Sequence, residues 1–282
     1  MLQLGALTDW TQLALPSVGL AGQGELLAGA AGGPLVVGLL TPQRNAMTLA
    51  AKDTCSSFLG IYRQVLKDGF FKGFRGGTAP VLAAAPQFTM IGPAYLATLK
   101  HTDSAALAVS ASSLGESILT YAAGRRNAQI AFNASRSAAQ QIEVQPMRRL
   151  VGPGFGALCW RNAAAMMGIR SFAPHAHAAV ERMPLLKWLP MEGKNIIADF
   201  IASVFSASLS MPFNHVFFWA CCSPQLTDMS STQGLKAYAT FLIGNYQTQG
   251  MRLLRRDLLI RICYTGFLFT GYSAVERHVK CI

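Results

Sequence analysis

The stretch Lys67 to Pro86, KDGFFKGFRGGTAPVLAAAP, constrains this chain more than any other, because related versions of it recur twice downstream. An acid-glycine pair leads into an aromatic-Arg-Gly step, and an apolar, proline-bearing helix follows. The first echo is GPGFGALCWRNAAAMMGIR, Gly152 to Arg170, and the second is QGMRLLRRDLLIRICYTGF, Gln249 to Phe267. Phe74-Arg75-Gly76 thus corresponds to Trp160-Arg161-Asn162 and to Arg255-Arg256-Asp257. The helices after the second and third steps end in one tetrapeptide, Ala179-Val180-Glu181-Arg182 and Ala274-Val275-Glu276-Arg277. Self-similarity at a period of about 85 to 95 residues divides the chain into three units.

The pattern resembles the mitochondrial carrier family, and the resemblance covers the chain from about residue 19. Pro42, Asp68-Gly69, Phe74-Arg75-Gly76 and Pro86 carry it in the first unit, Gly154 and Trp160-Arg161 in the second, and Pro212, Gly250 and Arg256 in the third. It implies an all-α membrane protein: six transmembrane helices in three pseudo-repeats, with three short surface helices on the matrix side. The implied organisation is a tail over 1–18, possibly interfacial, and carrier repeats over 19–103, 104–194 and 195–282, all within one integral membrane domain.

Composition agrees with a membrane environment. At 51% hydrophobic and 13% charged residues, with mean hydropathy +0.31, the chain has little polar surface for a soluble protein of its length. The net charge of +11 does not point to nucleic acid, since the cations are not gathered with aromatics on one face. Stretches 44–77, 125–161 and 236–256 hold six, six and four of the 24 Lys and Arg, which makes one membrane side positive. In the family that side is the mitochondrial matrix, so the expected location is the inner membrane. No Lys or Arg precedes Arg44, so neither a secretory signal nor a cleavable presequence is expected. The six cysteines have no metal-ligand spacing and read as small apolar residues.

In chain order, the predicted spans run over about 19–50 (with a kink at Pro42), 78–99, 104–132, 162–182 (kinked at Pro174), 195–222 (kinked at Pro212) and 257–277. Each is near the twenty residues a bilayer requires. Surface helices are expected at 53–67, within 133–152 and at 233–248.

Family members that move solutes carry Pro-x-(Asp/Glu)-x-x-(Lys/Arg) at the kink of each odd span, and the acid and base of neighbouring repeats pair to close the matrix side. Here the first copy has Pro42, with Arg44 for the acid and Met47 for the base. The second lacks the proline and has Gly124 and Asn127, and the third has Pro212, Asn214 and Phe217. None of the three ion pairs can form at these positions. An alternating cycle needs two states of similar energy, each with its own stabilising contacts. The expectation is therefore a transport-degenerate carrier homologue that serves as an accessory subunit of an inner-membrane complex, a respiratory complex or ATP synthase. Two alternatives stay open: a working solute carrier of unknown substrate, and an outer-membrane carrier-like docking or insertion protein.

By the resemblance, substrate positions fall near Ala83, Ile169-Arg170 and Tyr264. Glu116, a charge inside a predicted span, is a candidate to face Arg170 across a cavity. The aromatic-Arg-Gly steps hold cardiolipin phosphate in the family, which makes Arg75-Gly76 and Trp160-Arg161 candidate lipid-phosphate residues. Beyond such a lipid no cofactor or metal is expected. The expected partners are the bilayer and other membrane subunits. No spacing supports a catalytic triad, a zinc motif or a phosphate-binding Gly-rich loop, so no enzyme activity is expected.

Overall fold

The computed structural model describes residues 28–280 apart from Asp228 and Ser230. The expected N-terminal tail, 1–18, and the start of the first span lie outside the described residues. Among those described, all regular structure is helical.

A π-helical turn, Ala28–Gly32, leads into α1 (Gly33–Leu39) and α2 (Thr41–Ala50). The regular helix breaks at Leu40 (φ −91, ψ 9), just ahead of Pro42, which has no N–H to donate and sits in the first turn of the restarted helix. A surface helix, α3 (Phe58–Val65), follows, with the Ser57 hydroxyl accepting from Gly60 N at its start.

A 3-10 turn, Phe70–Phe74, then feeds α4 (Thr78–Thr102) and α5 (Ala105–Ala134). These two match the predicted second and third spans to within three residues at each end. Left-handed Asp103 (φ 48) ends α4, and the Ser104 side chain caps α5.

The second connection corrects the expectation of a surface helix within 133–152. After a 3-10 turn, Ala138–Gln140, residues 141–146 form a strap without regular secondary structure. Side chains of α5 have taken the backbone groups a helix would use. Asn133 accepts from Ile142 N (2.9 Å) and donates to Ile142 O (2.7 Å), and Gln129 Oε1 accepts from Gln145 N (2.9 Å).

The predicted fourth span begins early, as α6 (Phe155–Met167). A π-helical turn (Gly168–Phe172) precedes α7 (Ala173–Arg182), whose first turn holds Pro174. Helix α8 (Met191–Cys221) contains Pro212 and ends in a 3-10 turn, Pro224–Thr227. The expected third surface helix and sixth span form one element, α9 (Ser231–Lys280), bent at Gly250. A Cβ at Gly154 would lie 3.0 Å from Ala220 Cβ, so glycine there lets α6 start directly against α8.

Helix α4 packs on α5, α6 lies against both α5 and α8, and α8 packs on α9. Among the described residues α8 and Gly250–Val275 are long and apolar enough to cross a membrane. The long helices bury polar side chains alongside an apolar core and expose apolar ones. Ser113, Ser117, Asn127, Asn162, Ser206, Ser210 and Asn214 are buried, while Leu82, Met90, Leu107, Phe205 and Phe267 are exposed.

Candidate functional site

A cavity of about 210 Å³ opens between α2, α4, α5, α6 and α9. Four arginines line it: Arg44, Arg161, Arg170 and Arg261. Glu116 is the one carboxylate among the described lining residues, and it accepts from Gln87 Nε2 at 2.9 Å.

Three of the arginines are held by what they touch. Arg161 donates from Nε and Nη2 to Asn162 Oδ1 (2.9 and 2.7 Å), and Asn162 in turn donates to Ser117 Oγ (3.1 Å). Its guanidinium lies 5.4 Å from the Phe217 ring centre. Arg261 donates twice to Ser210 Oγ (3.1 and 3.0 Å), and Arg170 lies 4.8 Å over the Tyr95 ring. Arg44, Arg161 and Arg261 are near enough to repel one another. Such a set in a partly desolvated space favours an anion between them, through charge-assisted hydrogen bonds.

Of the sequence-derived cavity positions, Glu116, Arg170 and Tyr264 meet in this lining. Ala83 lies outside it, and Gln87, one turn later on α4, takes its place. The backbone of Ile169 belongs to the π-helical turn, and its side chain lies outside the described residues. Helical spacing carried a signal for two of the others: Gln87 is four residues beyond Ala83, and Arg261 three before Tyr264.

Below the cavity the degenerate gate positions converge into a neutral latch. Asn214 Nδ2 donates to Met47 Sδ (3.4 Å). A Cβ at Gly124 would lie 3.3 Å from the Phe217 ring and 2.9 Å from Arg44 Nη2. Asn127 Nδ2 donates to Asn45 Oδ1 (3.1 Å) and Arg75 O (3.3 Å), and Asn45 Nδ2 donates to Gly73 O (2.8 Å). Met47, Gly124, Asn127, Asn214 and Phe217 are all buried, whereas Pro42 and Pro212 are half-buried in the helices behind them.

Two cations tie the connections together beneath the latch. Arg256 donates to the carbonyls of Ala50 (2.8 Å), Asp53 (2.6 Å) and Ser56 (3.0 Å), the unpaired C-terminal end of α2 and the turn after it. Lys52 Nζ donates to Ser223 Oγ (2.6 Å) between the Phe132 and Trp219 rings. Burial lowers the Lys52 pKa. Burial works to raise that of Asp53, but hydrogen bonds from Ser56, Gln64 and Cys55 outweigh it and hold the carboxyl well below its usual range.

At the far end, Arg277 pairs with Asp199 (2.7 Å) and Glu192 (3.1 Å), and His177 Nε2 lies 2.9 Å from Asp199 Oδ1. The side chains of Glu276 and Lys280 lie outside the described residues.

The candidate lipid-phosphate residues are not alike. Arg75 pairs with Asp68 at 3.0 Å, and Gly76 packs against Asn127 and Ile130. Trp160 is 64% exposed and stacked on Phe213, while its neighbour Arg161 turns inward to the cavity. Among the described residues no group of three or more His, Cys, Asp or Glu is gathered to hold a metal ion. No protein-family model and no curated protein matches this chain.

Proposed function

We propose that this chain is a mitochondrial-carrier-like protein of the inner membrane, six spans in three repeats, whose central cavity binds an anionic solute above a neutral latch. Four guanidiniums facing one carboxylate in a single cavity carry this reading. Charges in a membrane-embedded space are costly unless they act on something, and an oxyanion with two or more charges is the matching partner. The membrane reading is supported by the apolar side chains that the long helices expose and by the polar ones buried between them. The carrier reading is supported by the meeting of Met47 with Asn214, of Gly124 with Phe217 and of Asn45 with Asn127 at one end of the cavity.

A second reading is favoured by the latch itself. With no ion pair at any of the three positions, the protein stands closed and serves as an accessory subunit of a respiratory or ATP-synthase assembly, holding the anion as a fixed element.

The test is thermal unfolding of the purified protein in phosphatidylcholine nanodiscs with citrate, malate and ADP at constant ionic strength. A saturable rise in melting temperature is expected. In Arg170→Gln it should require roughly ten-fold or more ligand, the scale of one lost charge-assisted hydrogen bond. No rise with any anion would sink the binding reading. Counter-exchange in vesicles by the same preparation then separates a cycling carrier from a closed one.

A further inference from the structure

A second, smaller cavity of about 90 Å³ lies beside the latch, walled by α5, the strap and its exit at Pro153, and the C-terminal end of α8 with its following turn. Arg125 of α5 lines it. Its side chain is buried, the residue being 5% exposed, and its Nη1 has no hydrogen-bond partner among the described residues. The guanidinium is not free to swing away. It rests 5.9 Å over the Tyr121 ring and weakly engages the Tyr121 hydroxyl, which is itself pinned by its bond to Pro153 O (3.0 Å). A buried charged N–H donor without a full acceptor is unfavourable, and the side chain that carries it lines this cavity.

The surroundings suit an acceptor that is small and negative. Gln145 and Thr227 line the same cavity, and Ser223 stands on its wall with the Lys52 ammonium directly behind, 2.6 Å from the Ser223 hydroxyl. The space exceeds that of a single water-sized group. Glu143 also lines it, exposed on the strap, and makes no described ion pair with Arg125. That carboxylate competes with any anion arriving from solution.

We propose that this cavity is an oxyanion site, separate from the central one, in which Arg125 binds a phosphate or carboxylate group. The bound group bridges α5, the strap and the end of α8, so occupancy fastens the strap and the latch together. The shared chemistry is a phosphate-type oxyanion, supplied free or by a lipid headgroup.

Inorganic phosphate is titrated against chloride at constant ionic strength into the full-length protein in phosphatidylcholine nanodiscs, and thermal unfolding is followed. In an Arg170→Gln background, which weakens the central cavity, the melting temperature should still rise saturably, and the rise should vanish when Arg125→Gln is added. Glu143→Gln should reach half its rise at several-fold lower phosphate, a result that stands even if Arg125→Gln fails to fold. A rise only when phosphatidate is added to the discs, again dependent on Arg125, assigns the group to a headgroup. The proposal is overturned by no rise with either source in the Arg170→Gln background, by a rise there that survives Arg125→Gln, or by an unchanged midpoint in Glu143→Gln. Persistence in Arg170→Gln keeps this outcome independent of the central cavity.

Discussion

Arg44 and Met47 stand less than one turn apart on α2, yet one lines a charged cavity and the other a neutral seal. The cavity gathers four guanidiniums, while the latch just below it is closed by an amide on a thioether, an aromatic ring on a glycine, and two asparagines on each other. The contrast has a mechanical meaning. Ion pairs attract over several ångströms, whereas van der Waals packing loses much of its strength once a gap of about 1 Å opens. On the proposed carrier reading, a packed latch would hold firmly when shut and give little guidance toward reclosing once parted.

The largest test of this contrast removes the latch ring. Phe217 is fully buried, so Phe217→Ala should lose about 3 to 5 kcal/mol in denaturant unfolding. Loss of less than about 1 kcal/mol would mean that the latch is not held by packing. A smaller effect is expected for Asn127→Leu, which leaves the Asn45 carbonyl without its donor. Its cost should be about 1 to 3 kcal/mol, and Asn127→Asp should not restore the loss, because it supplies no donor when ionised.

The smallest effect concerns Asp53, beneath the latch. Its folded pKa lies below the unfolded value of about 3.9, so the unfolded chain binds more protons between the two, and stability rises with pH across that window. The melting-temperature gap between wild type and Asp53→Asn should be constant from pH 5 to 8 and shrink below pH 4. A gap that widens on acidification would contradict the assigned hydrogen bonding.

How far this was legible in the sequence depends on how locally each feature is encoded. Helices α4 and α5 were readable because their apolar runs end at the Asp103-Ser104 punctuation, which acts within one turn. The strap was not, since Asn133 and Gln129 win its backbone groups from α5, and no periodicity records that competition. In the cavity, Arg170 and Tyr264 follow from the family resemblance, and Glu116 from being a charge inside an apolar span. Arg161 was read as a lipid ligand from its motif, but a long side chain goes where charge and space allow, and Asn162 draws this one inward. Arg44 escaped in the same way: it occupies a latch position and reaches the cavity.

The bend of α9 rests on a single residue whose handedness can be tested chemically. Gly250 adopts φ 59 and ψ −153, the mirror image of an ordinary extended conformation, and a Cβ built there would meet nothing within 4 Å. An L-alanine would strain the backbone, whereas a D-alanine introduced by semisynthesis would sit in its natural basin and narrow the choices of the unfolded chain. The junction between surface segment and long helix is thus one stereocentre away from being made rigid.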